Sequence, residues 1–386
     1  MKKILFVTES LNVGGMEKVQ VAIANALVSS GYDVTIVTYM PTARDGLLPE
    51  LDGRVHFRFK KRKEFPFFMK HSATRKYFKS DRYEKRQSPR KLWNYFVGNK
   101  EKYDVEVAFY RGPSVKIVGG SPNKRAKRFA WVHSDYSLIT DKSLTKFFRD
   151  RDEQLYCYGR FDRIIPVSDA AGKSFAGMFG FEDKLTTVYN MISLADIDEK
   201  KKEPCPLEKR KFTVVSVGRM VPAKGYDCLL DAVKRLKDDG FDFDLWLVGY
   251  GAEEEKLREC AEKNGLDNVT FTGGQTNPYK YLAAADMFVC SSFREGFSIV
   301  CAEALACSLP VLSTSCTGPV EILRNGEYGI LTDCGEEGIY TAFRRILENP
   351  AVLKPFAEKA RARARDFDTQ VITGRIISLF EGTEIK

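Results

Sequence analysis

Short runs of consecutive apolar residues alternate along the chain with longer segments whose apolar positions recur every three to four residues. KILFVTE (3–9) is one such run. The loop LNVGGMEK follows, and VQVAIANALVSSG then sets Val21, Ala24, Leu27 and Val28 on one helical face. Gly31 closes that helix, and YDVTIVTY (32–39) is the next run. Strand, glycine loop, helix and strand in this order open a doubly wound α/β unit. Further strands are predicted at YDVEVAFY (103–110), RFAWVH (128–133) and RIIPVS (163–168), with KLTTVYN (184–190) closing the first core.

The pattern breaks at ADIDEKKKEPCPLEKRK (195–211), which is charged, holds two prolines and lacks apolar periodicity. It reads as a linker. The alternation restarts with FTVVSVGR (212–219), the helix GYDCLLDAVKRLKDDG (225–240), and FDLWLVGYG (243–251) running into a glycine turn. A polar-faced helix EEEKLRECAEKNG and the short strands NVTFTGG, MFVCSS and PVLSTSC follow. One or two helices are predicted over 355–380. The expected organisation is an N-terminal Rossmann-like domain over 1–195, a linker over 196–211 and a second Rossmann-like domain over 212–365. A C-terminal helix over 366–386 is expected to pack back on the first domain.

Composition narrows the class. The 386 residues suit two domains better than one core. The chain opens directly on a strand-like segment without a signal-peptide pattern, and no run is long enough to span a membrane. The nine cysteines form no CxxC pair and most lie in apolar segments, which favours free buried thiols in a reducing cytoplasm over disulfides or zinc. The net charge of +9 is uneven: residues 58–102 carry 16 Lys/Arg against 4 Asp/Glu, a net of +12, leaving the rest near −3. Phe65, Phe67, Phe68, Tyr77, Phe78, Trp93, Tyr95 and Phe96 are interleaved with those charges. An anionic membrane surface fits this mixture. So does a solvated segment whose aromatics face the core. No nucleic-acid motif supports a third reading, in which nucleic acid binds there.

The richest stretch is REGFSIVCAEALACSL (294–309). Its helical part is apolar apart from Glu303, and Glu295 stands just before it with Ser298 as a candidate cap. A carboxylate in such surroundings needs hydrogen-bond partners, and a polyhydroxylated ligand supplies them. Glu303 lies roughly 7 Å along the helix from its start, so two carboxylates could grip different parts of one long ligand. The amides around Phe297, Ile299 and Val300 offer an anion site at the helix start. In GRMVPAKG, Arg219 follows a strand directly and Lys224 comes five residues on, a fork and a point charge suited to a diphosphate. Gly14 and Gly15 precede the first helix, where a backbone can approach an anion, although a tight turn alone explains them. Their spacing is not GxGxxG. His133 ends a strand at the edge where α/β sheets bind ligands, with Asp135 placed to orient it. Gly218, Gly249, Gly251, Gly273 and Gly274 sit at strand ends, and Tyr279 suits either the nucleobase or the core. No histidine or cysteine spacing suits a metal.

Together these residues resemble the large family of retaining glycosyltransferases, family 4, with two facing Rossmann-like domains (the GT-B fold). The matching pieces are VGGMEK, VSVGRMVPAKGYDCLLDA, LVGYGAEEEKL, REGFSIVCAEALACSLPVLSTSCTGPVEIL and GILTD. The resemblance implies an active site in the interdomain cleft. It further implies that Arg219 and Lys224 bind the donor diphosphate, Glu303 the ribose, Glu295 and His133 the donor sugar, and Gly15 a phosphate. It implies transfer of a hexosyl or N-acetylhexosaminyl group from a nucleotide sugar, with UDP expected. The acceptor would be a saccharide or a polyprenyl- or other lipid-linked one, used in capsule, exopolysaccharide or lipopolysaccharide synthesis. Neither metal nor cofactor is expected, and the protein is expected in the cytoplasm, with peripheral contact at the inner face of the plasma membrane. Ser298 departs from the commoner EGFG pattern. A UDP-N-acetylglucosamine 2-epimerase-like enzyme and a catalytically silent partner subunit are the alternatives.

Overall fold

The apolar runs fold as parallel strands sealed on both faces by helices. The computed structural model describes residues 1–43, 46–60, 85–98, 102–137, 139 and 145–383. It divides into two units, Met1–Tyr189 with Ile372–Lys386, and Asn190–Val371. In unit 1, β1 (Lys3–Thr8), β2 (Asp33–Thr38), β3 (His56–Phe59), β4 (Val105–Ala108), β5 (Lys127–Val132) and β6 (Arg163–Pro166) form one sheet in the order β3-β2-β1-β4-β5-β6. All its pairings are parallel. A parallel sheet covered on both faces needs continuous apolar strands rather than alternating ones, and Ile4 to Val7 are all fully buried.

Unit 2 repeats the plan. Its strands are β7 (Phe212–Val217), β8 (Phe243–Val248), β9 (Val269–Gly273), β10 (Met287–Cys290), β11 (Val311–Thr314) and β12 (Ile330–Thr332), in the order β12-β11-β10-β7-β8-β9. Both sheets therefore grow outward from a first strand and restart on its other side. Loops leaving the two central strands diverge there, which makes that point the ligand crevice of doubly wound sheets. In unit 1 the central pair is β1 and β4; in unit 2 it is β7 and β10.

Several expectations need correcting. Residues 184–190, expected to close the first core, lie along β6 with Val188 buried but as an irregular segment and not a regular strand. Leu185 makes an isolated bridge with Ile164, and Thr186 and Val188 donate to Ile164 and Pro166. The edge strands β3 and β12 escape periodicity because HFRF and ILT are too short to show one. Overlapping the start of the segment read as a linker, Leu194–Lys200 is a helix, capped by Ser193 Oγ accepting from the Asp196 amide and anchored by buried Ile197. All nine cysteines are free, but only Cys157, Cys290, Cys301 and Cys316 are fully buried, and Cys334 is exposed.

The aromatics of the basic stretch divide. Trp93 and Phe96 are core residues of unit 1, and half-buried Tyr95 packs edge-on against Phe96 with ring centroids 5.0 Å apart. Those two side chains are therefore unavailable to a membrane surface. Phe65, Phe67, Phe68, Tyr77 and Phe78 lie outside the described residues. No helix among the described residues is long and apolar enough to cross a membrane. The final helix, Thr369–Glu381, docks in unit 1: the Phe380 ring lies 4.9 Å from that of Phe129, and Tyr32 Oη donates to Glu381 Oε1 at 2.9 Å.

Candidate functional site

In unit 2 the candidate residues collect at the carboxyl ends of β7 and β10. The chain leaves β7 through Gly218 and Arg219, makes a single 3-10 turn over Pro222–Lys224, and enters the helix Tyr226–Asp238. That turn is tied to the segment after β10. Ser291 Oγ donates to the Lys224 carbonyl at 2.8 Å, and the Phe293 amide donates to the Ala223 carbonyl at 2.9 Å. The ties bring Lys224 Nζ onto Glu295 Oε1 as an ion pair. Ser292 Oγ also donates to Glu295 Oε1, at 3.0 Å. The Glu295 carbonyl accepts from Thr317 Oγ1 at 2.7 Å, which fixes the residue from behind. Lys224 and Glu295, assigned from the sequence to different parts of a ligand, thus meet across the crevice between β7 and β10.

Burial pulls the Lys224 pKa down, but Glu295, helped by Cys290, outweighs burial and holds it well above the usual lysine value. Arg219 behaves differently. It is exposed, and its side chain makes no hydrogen bond or ion pair among the described residues. One cation is thus matched and one is unmatched on the same strand end.

Glu303 lies on the helix Ile299–Ala306 and is half-buried. Tyr279 Oη donates to Glu303 Oε1 at 2.9 Å, so this tyrosine is neither a free aromatic face nor a simple core ring. Burial, then the Glu303 charge, drives its phenol far above the ordinary range. Ser298 precedes the helix but does not cap it with its side chain; its hydroxyl meets Cys301 Sγ at 3.2 Å. Its backbone is left-handed, at φ +69° and ψ +73°. A glycine adopts that conformation without cost, which explains physically why glycine is the commoner residue there. The Phe297 side chain is buried against Phe367, with ring centroids 5.4 Å apart, so only its backbone can face a ligand. Ile299 and Val300 form the partly exposed first turn.

Gly249 and Gly251 answer to the protein's own backbone. A Cβ on Gly249 would lie 1.9 Å from the Gly218 carbonyl oxygen, at φ +143°, and one on Gly251 would lie 2.2 Å from that of Met220. Their absence lets the β8 loop lie directly on the β7 turn. Gly274 sits under the Tyr250 ring in the same way.

In unit 1, Gly14 is the extended residue before the helix Gly15–Ser29. The Glu17 carboxylate folds back over Gly14, into the space a side chain there would take. A protein carboxylate therefore lies at the helix start that the sequence offers to a phosphate. His133 follows β5 directly, with its ring 4.7 Å from that of Phe109. Its Nε2 lies 2.9 Å from the Phe109 carbonyl oxygen. A carbonyl only accepts, so Nε2 carries the proton and Nδ1 is a bare acceptor; that Nδ1 is buried and has no hydrogen-bond partner. Burial pulls the imidazole pKa down to about 4, so the ring is neutral. Asp135 does not orient it: its Oδ1 accepts from the Ser137 amide and hydroxyl at 2.9 and 2.6 Å. Among the described residues no three His, Cys, Asp or Glu side chains gather as a metal-holding group.

Known proteins give the family and the fold. Residues 13–196 match the family model described as Glycosyltransferase Family 4, and residues 197–365 match the one described as Glycosyl transferases group 1. Over 261 residues the chain is 35% identical to the lipopolysaccharide core biosynthesis glycosyltransferase LpsD of Rhizobium meliloti, covering 67% of this chain and 73% of that one. The chain belongs to the family 4 glycosyltransferases. It is also 34% identical, over 55% of its length and 58% of the relative's, to a Campylobacter jejuni N-acetylgalactosaminyltransferase acting on a diphospho-undecaprenol-linked sugar. Among solved structures it resembles Anabaena Alr3699/HepE in complex with UDP and glucose, with a TM-score of 0.75 and 20% identity over 99% of this chain and 100% of that one. That likeness concerns the fold, the GT-B architecture of two Rossmann-like units.

Proposed function

We propose that this family 4 glycosyltransferase transfers a hexosyl or N-acetylhexosaminyl group from UDP to a saccharide or lipid-linked acceptor with retention of configuration. The enzyme works in cell-surface polysaccharide synthesis, at the cytoplasmic side of the membrane. The Lys224–Glu295 pair across the β7/β10 crevice, with unmatched Arg219 beside it, carries this reading. A nucleoside diphosphate brings the negative charge that Arg219 lacks, and it draws Lys224 from Glu295. The released Glu295 carboxylate then accepts from donor-sugar hydroxyls. Glu303, held by Tyr279, accepts from the ribose, while the first-turn amides at Ser298, Ile299 and Val300 and the loops at Gly249 and Gly251 border the nucleotide. In unit 1, His133 presents Nδ1 as an acceptor suited to a sugar hydroxyl, and the Gly14 and Gly15 amides stand at the helix start that the Glu17 carboxylate covers.

The proposed chemistry is the one the family resemblance implies. The bond from the anomeric carbon to the phosphate oxygen breaks as the acceptor oxygen bonds to the same face of that carbon. The departing phosphate takes the acceptor proton. Lys224 and Arg219 stabilise the charge that grows on the diphosphate, which lowers the barrier through preorganised electrostatics. Unit 2 thus holds the donor and unit 1 the acceptor. Basic residues of 58–102 add attraction to an anionic membrane surface.

Calorimetric titration of the full chain with UDP, GDP and ADP, followed by a UDP-sugar panel with and without saccharide acceptors, tests the reading. Selective UDP binding that weakens at least tenfold in Arg219→Ala, and UDP release that needs an acceptor, support it. Equal binding of all three nucleotides, or an Arg219→Ala chain that binds as the wild type does, overturns it.

A further inference from the structure

Two thiols stand side by side at neighbouring strand ends of unit 2. Cys316 and Cys334 each lie two residues beyond a paired threonine, since β11 and β12 are parallel with Thr314 opposite Thr332. The ladder runs on past that pair, because the Ser315 amide donates to the Thr332 carbonyl at 2.7 Å. Side chains two apart on a strand share a face, and Thr314 Oγ1 accordingly reaches Cys316 Sγ at 3.9 Å. The same Thr314 hydroxyl is hydrogen-bonded to the Cys334 thiol. Neighbouring strands stand about 4.8 Å apart, and a disulfide needs its two Cα atoms about 4.4–6.8 Å apart. The register therefore sets the two cysteine backbones at disulfide distance without a shift of either strand.

Exposure divides the pair. Cys334 is open to solvent, whereas Cys316 is only 6% exposed. An oxidant reaches one sulfur, and a protected second sulfur waits beside it to resolve the oxidised one. Burial raises the pKa of both thiols, helped at Cys334 by Asp333 and at Cys316 by Cys290 and Glu295. Both stay protonated at neutral pH. The thiolate is the nucleophile, so such a pair answers sustained oxidant and not traces of it.

The surroundings of Cys316 connect the pair to the donor side. Cys316 leads into the helix Thr317–Ile322. Thr317 Oγ1 and the Gly318 amide both donate to the Glu295 carbonyl, at 2.7 and 3.1 Å. A Cβ on Gly318 would lie 2.6 Å from the Phe297 backbone, so this turn is laid directly against the segment that carries Glu295.

We infer that Cys316 and Cys334 are a reversible oxidation site, closed to a disulfide by a peroxide and reopened by a dithiol reductant, and that the bond staples β11 to β12 behind Glu295. The Cys334 thiolate attacks one peroxide oxygen, the O–O bond breaks, and Cys334 becomes a sulfenic acid as hydroxide leaves. The Cys316 sulfur then attacks the Cys334 sulfur, the S–O bond breaks, and a second hydroxide leaves. The two thiol protons turn both hydroxides into water, so the pair loses two electrons to one hydrogen peroxide. A dithiol reverses the bond by exchange and is itself left as a disulfide. This goes beyond the transferase reading and does not depend on it.

The test uses the full chain at pH 8.5, reduced, freed of reductant and exposed to hydrogen peroxide. Remaining thiols are then blocked, and the chain is mapped by mass spectrometry without reduction. The expected product is a pair of peptides joined through Cys316 and Cys334 within one chain, separated again by dithiothreitol. Neither Cys334→Ser nor Cys316→Ala is expected to give it, and Cys334→Ser, a change at an exposed position, decides alone where Cys316→Ala fails to fold. For a closed loop of about 15–20 residues the oxidised chain is expected to melt about 6–12 °C above the reduced one, and Cys334→Ser is expected to show no such difference. A bridge mapped to Cys290 and Cys301, a bridge between two chains, over-oxidised Cys334 without a bridge, or nine unmodified thiols overturns the inference. A Cys316–Cys334 bridge that leaves the melting temperature unchanged overturns the staple. UDP titration of the reduced chain reports separately on the donor reading, whose failure would leave the mapped bond standing.

Discussion

Replacing Lys224 by methionine removes the ammonium while keeping most of the side-chain volume. Its partner Glu295 is then left as a carboxylate whose side chain is only 14% exposed, against 21% for Lys224. Breaking a fully buried pair costs about 3–5 kcal/mol because the surviving charge is uncompensated. The partial exposure here, and the Ser292 hydroxyl still donating to Glu295, bring the expected loss to about 2–3 kcal/mol. For a unit of this size that corresponds to a fall in Tm of about 4–12 °C. Adding Glu295→Gln removes the orphaned charge, so the double variant is expected to regain at least half of the loss. The lysine pKa is raised, so its contribution is complete below pH 10.5, the ordinary value, and declines only as pH climbs through the higher folded value. Thermal unfolding of the full chain at pH 7.5, with and without UDP, reads both roles. A ligand at a hundredfold its Kd adds about 2.7 kcal/mol to a wild-type chain, and most of that is expected to vanish at the same UDP concentration in Lys224→Met. A variant that melts with the wild type and keeps the full UDP increment would refute both the pairing energetics and the diphosphate role.

Further outcomes follow from other residues. His133 titrates near 4 in the fold against 6.5 when unfolded, so the unfolded chain binds the extra proton and stability is lost as pH falls from 6.5 towards 4, by roughly 3 kcal/mol in all; in His133→Gln, urea midpoints across that range are expected to flatten. Tyr279→Phe removes the donor to Glu303 and is expected to cost about 1–2 kcal/mol and to weaken UDP binding in calorimetry, with unchanged affinity counting against the ribose role. Ser298→Gly is expected to be neutral or slightly stabilising in thermal melts, while Ser298→Val, branched and left-handed, is expected to cost at least about 1–2 kcal/mol. Gly249→Ala forces a Cβ into the Gly218 carbonyl and is expected to lower Tm steeply, or to give insoluble chain, which expression and melting assays reveal directly.

Much of the fold is readable in the sequence, and the reasons are physical. Buried parallel strands announce themselves as unbroken apolar runs, so β1, β2, β7 and β8 were found within a residue or two. The gathering of charged residues at the β7 and β10 ends was readable where residue type and strand end coincide, as at Arg219, Lys224 and Glu295. What stayed hidden were meetings between residues distant in sequence. Lys224 and Glu295 are 71 positions apart, and Tyr279 and Glu303 are 24 apart; periodicity on either segment reports which face is apolar but not what lies opposite. The sequence offered Asp135 to His133 because it is near in the chain, whereas the Phe109 carbonyl on the adjacent strand takes that place. Ser298 looked like a cap because serine usually is one, and its left-handed backbone leaves the hydroxyl pointing elsewhere.

The docking of Phe380 and Glu381 beside Phe129 and Tyr32 has a bearing on synthesis. Ribosomes make the first 189 residues early, yet the segment that covers the outer side of β5 emerges only after all of Asn190–Val371. Unit 1 must therefore wait with an aromatic patch uncovered while its neighbour folds. A chain cut after Val371 would keep every candidate donor-side residue of unit 2 and still be a client for chaperones and proteases.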